Sequence, residues 1–168
     1  MFETEVRETT LDNGLRVVSE FVPYVQSVSL GLRVDAGSRD ESDEEAGISH
    51  VLEHMLFKGT ERRTARDIAE EMDAVGGQID AFTSKEYTGY GARVLPEHVP
   101  LALDVIADML RHSLLDEKEL ELEKGVILEE YRSMEDVPEE YVHEVFNRVL
   151  WPNHPLGRSV IGFPEVIS

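Results

Sequence analysis

The chain has 168 residues, 41% of them hydrophobic and 30% charged, which is the composition of a soluble globular domain with a real core. Its formal net charge of −19 argues against nucleic acid or an anionic membrane as partner, since both require a basic face, and the lack of cysteine excludes disulfides and thiolate metal sites. No run approaches the roughly 20 apolar residues of a membrane span, and Met1–Arg7 has neither the basic nor the apolar region of a secretory signal.

In chain order, the first third reads as β. Thr4 to Thr10 alternates loosely, Asp12-Asn13-Gly14 is a hairpin signal because Asn-Gly supplies the positive φ angles of such turns, and Leu15–Val18 leads away from it. Val28–Val34 alternates, with Val28, Leu30, Leu32 and Val34 on one face. Ser42, with Glu45 three residues on, predicts a capped helix running to about Phe57, and a second helix spans Thr64 to Val75 before Gly76-Gly77. Strands near Gln78–Phe82 and Tyr87–Val94 flank a hairpin-length loop.

The remainder reads as helical. Pro96 opens a helix whose apolar stripe is Val99, Leu103, Ile106 and Leu110. A long helix runs from near Asp116 to at least Met134, and Pro138 either interrupts it or opens the next, which ends before Trp151. Strands joined by hairpins and helices grouped in blocks predict an α+β domain over residues 1–168, an antiparallel sheet packed against helices rather than a doubly wound parallel one. Phe163–Ser168 carries no closing pattern, as expected of a piece of a longer chain.

One segment carries chemistry. In His50-Val51-Leu52-Glu53-His54, helical spacing puts His54 about 40° from His50 and Glu53 about 60° to the other side, so the three polar groups share a face. Ile48, Val51, Leu52, Met55 and Leu56 occupy the other directions, which predicts a buried helix whose polar stripe must be satisfied inside the protein. Two imidazoles one turn apart suit zinc, and a carboxylate beside them can take a proton from water activated by the metal. H-x-x-E-H is the inverted zinc-peptidase spacing. The competing reading is a hydrogen-bonded His/Glu cluster in a core.

Zinc requires a further ligand. Glu123 and Glu130, seven residues apart, fall within about 20° of each other on the long helix, flanked by Leu120, Val126 and Ile127. Carboxylates on an apolar face need a partner or a metal. Helix phase alone leaves the pair open between structural salt bridges and a site in which Glu130 is the third ligand and Glu123 its neighbour. His98, His112, His143 and His154 compete for the ligand role, although each reads as an exposed or turn residue.

The stretch Gly47–Thr60, built on His50-Val-Leu-Glu53-His54-Met-Leu-Phe-Lys-Gly-Thr, resembles the signature of the pitrilysin/insulinase-type zinc peptidases, closest to their mitochondrial-processing-peptidase-like and bacterial processing-protease branch. Leu11–Val17, Gly76–Thr83 with Glu86–Tyr90, and Glu123–Glu130 match three further blocks in order. The resemblance implies a zinc endopeptidase in which His50, His54 and Glu130 ligate Zn2+, Glu53 is the general base and Glu123 the supporting second carboxylate. It makes Asp80-Ala81-Phe82 an edge strand that pairs with the backbone of a peptide substrate, although many members have Asn where this chain has Asp80. It implies the metal-bearing N-terminal portion of a half-enzyme that closes on a second half or a homo- or heterodimer partner, from which an Arg/Tyr pair comes. The alternative is a non-catalytic scaffold subunit, a class that typically lacks the intact motif. The expected location is the bacterial cytoplasm.

Overall fold

Asn13 and Gly14 turn the chain: Gly14 takes φ 86° and the Asn13 Oδ1 accepts the Leu15 N–H at 3.1 Å. The flanking strands β1 (Glu5–Thr10) and β2 (Arg16–Phe21) pair antiparallel, from Thr10 opposite Arg16 to Glu5 opposite Phe21, and every residue of both is exposed. The structure, a computed structural model, describes residues 4–167. Met1, Phe2 and Glu3 of the leader reading and Ser168 of the chain-end reading lie outside the described residues.

A second antiparallel sheet contains β3 (Val28–Val34), β4 (Gln78–Thr83) and β5 (Thr88–Val94) in the order β3-β5-β4. Residues two apart on a strand share a face, and Tyr90, Ala92 and Val94 of the central strand turn into the core. They meet Ile68 and Met72 of α2 (Ala65–Ala74) and Ala102, Val105, Ile106 and Met109 of α3 (Val99–His112). Val28, Leu30 and Leu32 are half-buried as the alternation predicts, but Val34 is exposed at the strand end. The buried stripe of α3 also differs from the predicted one. It is centred on residues 102, 105, 106 and 109, while Leu103 is exposed and lines an open cleft of about 820 Å3 between β2 and β3.

The zinc-motif helix α1 spans Ile48–Leu56 and packs against β4 and the long helix α4 (Glu117–Glu135). Its start corrects the sequence reading: Ser42 and Glu45 bracket a separate 3-10 turn at Asp43–Glu45. Gly47, at φ 99°, then breaks the path before α1 begins. Its surface is a second correction. Ile48 and Leu52 are 46% and 41% exposed, so α1 is buried on the side of His50, Met55 and Leu56 and not all round.

Asp116 caps α4 by accepting the N–H groups of Lys118 at 2.9 Å and Glu119 at 3.2 Å. Pro138 is the first residue of α5 (Pro138–Leu150), which settles its role as an opener. A short α6 (Pro164–Ile167) follows. Buried Asp108 of α3 ties the loop after α1 to the core, accepting hydrogen bonds from Thr60 Oγ1 at 2.7 Å, Arg62 Nε at 2.9 Å and Arg63 Nη1 at 2.9 Å. The architecture is α+β with antiparallel pairing throughout, and among the described residues no helix is long and apolar enough to cross a membrane.

Candidate metal centre

The site is built where α1 crosses α4. The first turn of α1 is held by Glu41, a buried carboxylate that accepts the N–H groups of Gly47 at 2.8 Å and Ser49 at 2.9 Å. An acid at a helix N-terminus satisfies free N–H groups and complements the helix dipole. The loop carrying Glu41 is fixed in turn by Arg158, whose guanidinium donates to the carbonyls of Ser38 and Glu41 and pairs with Asp43. Only glycine fits at Gly47, because a Cβ there would stand 2.5 Å from the Ile161 carbonyl oxygen.

On α1, His50 and His54 lie with ring centroids 4.6 Å apart, edge to face. From α4, Glu130 reaches both: Oε1 is 3.6 Å from His50 Nε2 and Oε2 is 3.5 Å from His54 Nε2. Glu123, earlier on the same face of α4, lies behind His54, with Oε2 2.9 Å from Nδ1. Its other oxygen pairs with Lys58 Nζ at 2.5 Å. Glu53 is half-buried and accepts the Thr83 hydroxyl at 2.5 Å, which links α1 to β4.

The charges respond to these contacts. Burial pulls His50 below the usual imidazole value, against the opposing pull of the Glu130 carboxylate. His54 is raised, chiefly by Glu130 and against the effect of burial, with Glu123 adding to the rise. Glu130 is lowered by His54. Burial works to raise Glu123, but Lys58 and His54 overcome it and leave the carboxylate below its ordinary value. On the central strand β5, burial and the Glu53 carboxylate push the Tyr90 phenol up to about 12.

Donor chemistry and spacing fit a zinc ion. The two Glu130 oxygens each face one imidazole, Oε1 3.6 Å from His50 Nε2 and Oε2 3.5 Å from His54 Nε2, and nitrogen and carboxylate donors of this kind are those zinc takes. One donor atom from each of His50, His54 and Glu130 lies within 4.8 Å of the others. His54 offers Nε2 because Glu123 occupies Nδ1, the carboxylate–imidazole arrangement that orients metal-binding histidines. His50 Nδ1 is buried with no hydrogen-bond partner among the described residues. His98, His112, His143 and His154 are not in this group.

Asp80, Ala81 and Phe82 lie on β4, whose hydrogen-bonded partner is β5, so its other edge is unpaired among the described residues. Asp80 and Phe82 are exposed and Ala81 is half-buried; the Phe82 ring packs edge-on against Tyr87 with centroids 5.5 Å apart. Glu41, Lys58, Thr83 and Arg158 are the residues that sequence reasoning missed. Lys58 and Thr83 stand inside the sequence motifs themselves, and that position was the one available signal.

The family described as insulinase (peptidase family M16) matches residues 16–163. The uncharacterized zinc protease YmxG of Bacillus subtilis is 49% identical over 163 residues, which are 97% of this chain and 40% of that protein. A probable mitochondrial-processing peptidase subunit beta of Arabidopsis thaliana is 45% identical over 158 residues, 94% of this chain and 30% of that protein. The crystal structure of a protease from Helicobacter pylori superposes with a TM-score of 0.92 at 28% identity, covering 99% of this chain and 40% of that one. The chain thus spans about 40% or less of the length of these relatives. With the inverted motif on α1 and the family pattern matched over most of its length, this chain belongs to the insulinase family, peptidase family M16.

Proposed function

We propose that this chain is the zinc-holding portion of an M16 endopeptidase. The observation that carries the reading is the convergence of His50, His54 and Glu130 from two helices, one donor atom of each within 4.8 Å of the others. Zinc, when bound there, supplies Lewis acidity that acidifies water and steadies negative charge on a carbonyl oxygen.

The chain's own residues do the rest. Glu53 takes the proton of the attacking water and passes it toward the leaving amine. Thr83 occupies its Oε2 and so leaves Oε1 for that proton. Glu123 holds the His54 ring through Nδ1. The free edge of β4 at Asp80-Ala81-Phe82 takes an extended peptide as an added strand, a mode that gives affinity through the backbone with little demand on sequence. The acidic balance of the chain favours basic peptides.

The chain covers a minority of its relatives' length, so cleavage by this reading needs a second half or a dimer partner, and the isolated chain holds zinc without full activity. The intact His50, Glu53, His54, Glu123 and Glu130 set favours the peptidase over a non-catalytic scaffold. Metal analysis of the purified chain, with hydrolysis of Arg-rich and Glu-rich peptides by the chain assembled with its partner half, tests it. One zinc per chain that is lost in His50→Ala is expected. Absence of zinc from the wild-type chain overturns the proposal.

A further inference from the structure

Lys58 follows α1 by two residues, its backbone N–H donating to the Met55 carbonyl at 3.1 Å, and its half-buried side chain turns back toward α4. There it meets Glu123, whose side chain is only 7% exposed. The two carboxylate oxygens are divided between two partners: Oε1 to Lys58 Nζ at 2.5 Å and Oε2 to His54 Nδ1 at 2.9 Å.

We propose that Lys58 is a positioning residue of the metal centre, acting through Glu123 on His54. The inference rests on the zinc reading above. A buried carboxylate facing one imidazole N–H is poorly compensated and free to turn about its last bond. A fixed ammonium on Oε1 stops that rotation and keeps Oε2 an acceptor. His54 then carries its ring proton on Nδ1 and presents Nε2 toward Glu130 and the ion. Lys58 makes no contact with a metal donor, so its influence passes through the shared carboxylate. The neighbouring Lys124 pairs instead with Glu121, its Nζ 2.8 Å from Oε1.

The test is a zinc titration of the full chain against a competing chromogenic chelator, with the visible spectrum of the Co2+-loaded chain as a second readout of ligand geometry. Outer partners of metal-bound histidines typically alter affinity by about 10–100-fold. Lys58→Met is therefore expected to weaken zinc by about tenfold or more and to change the Co2+ spectrum, while Lys58→Arg restores both. Lys124→Met serves as the control and leaves both unchanged. In a Glu123→Gln background, Lys58→Met adds nothing further, because the carboxylate through which it acts is gone. Lys58→Gln is run alongside, so that a folding failure of the Met variant still leaves a neutral side chain to read. Zinc affinity in the neutral variants within twofold of wild type, or a Lys58 effect that persists in full without the Glu123 carboxylate, overturns the proposal. A wild-type chain that takes up no zinc overturns the zinc reading itself and this inference with it, and that outcome is distinct from the other two.

Discussion

Thr83 donates its hydroxyl hydrogen to Glu53 Oε2 at 2.5 Å, so the β4–β5 hairpin and the motif helix are joined through the residue proposed as base. A typical hydrogen bond contributes about 0.5–1.5 kcal/mol net, and that range suits this half-buried pair. Thr83→Val should cost about 1 kcal/mol, lowering Tm by about 2–4 °C for a chain of this size, while Thr83→Ser stays near wild type. Thermal unfolding by circular dichroism checks both.

Glu53→Gln removes the base and keeps the shape. Zinc content should be unchanged. Where the chain is assembled with its partner half, peptide cleavage should fall by about 10²–10⁴-fold, the usual contribution of a positioned base. Metal analysis and a fluorogenic peptide assay on the same preparation separate the two effects. Full activity in the variant would sink the mechanism.

Asp108 sets an acid limit on stability. Burial works to raise its pKa, but Thr60, Arg62 and Arg63 override this and hold the carboxyl well below the usual carboxylate range. A group depressed in the folded state stabilises the fold above its unfolded value, near 3.8. That contribution is lost as pH falls through the lower, folded value. Denaturant midpoints should therefore decline below about pH 4. Asp108→Ala should lower stability at neutral pH by about 3 kcal/mol, the cost of breaking a buried charge network, and flatten the acid limb of the curve.

Two glycines should respond in opposite directions. Gly125 sits inside α4, and a methyl group added there would meet nothing within 4 Å, so Gly125→Ala should raise stability by about 1 kcal/mol through helix propensity alone. Gly47→Ala meets the Ile161 carbonyl oxygen at 2.5 Å and a φ of 99°, and should cost at least about 2 kcal/mol while loosening the helix that carries His50. Tm for both variants and zinc uptake for the second are the measurements.

Much of the centre was legible because its period is helical. His50, Glu53 and His54 share a face by spacing, and Glu123 and Glu130 fall in phase on α4, so all five could be placed on their helices from the sequence alone. Phase could not divide the roles of the two carboxylates. Glu130 faces both imidazoles, whereas Glu123 stands behind one of them, and that difference depends on how α1 and α4 cross. Glu41 was illegible for another reason: it caps α1 across a non-helical turn, and the nearer Ser42/Glu45 pattern imitates a cap of the same helix. Lys58 and Thr83 act from the end of one element and the end of another, where no periodicity connects them to their targets. The apolar residues of α1 overstated its burial, since Ile48 and Leu52 remain exposed.

The three donors are unequally open to solvent: the side chains of His50, His54 and Glu130 are 9%, 22% and 44% exposed. In this chain taken by itself, an ion held among them would have a door on the α4 side and a wall on the α1 side. Chelators and exchanging metals would enter over Glu130, and the lifetime of the bound ion would depend on how often that one carboxylate swings away. Affinity would be shared among all three donors, while the rate of exchange would belong mainly to the most exposed of them.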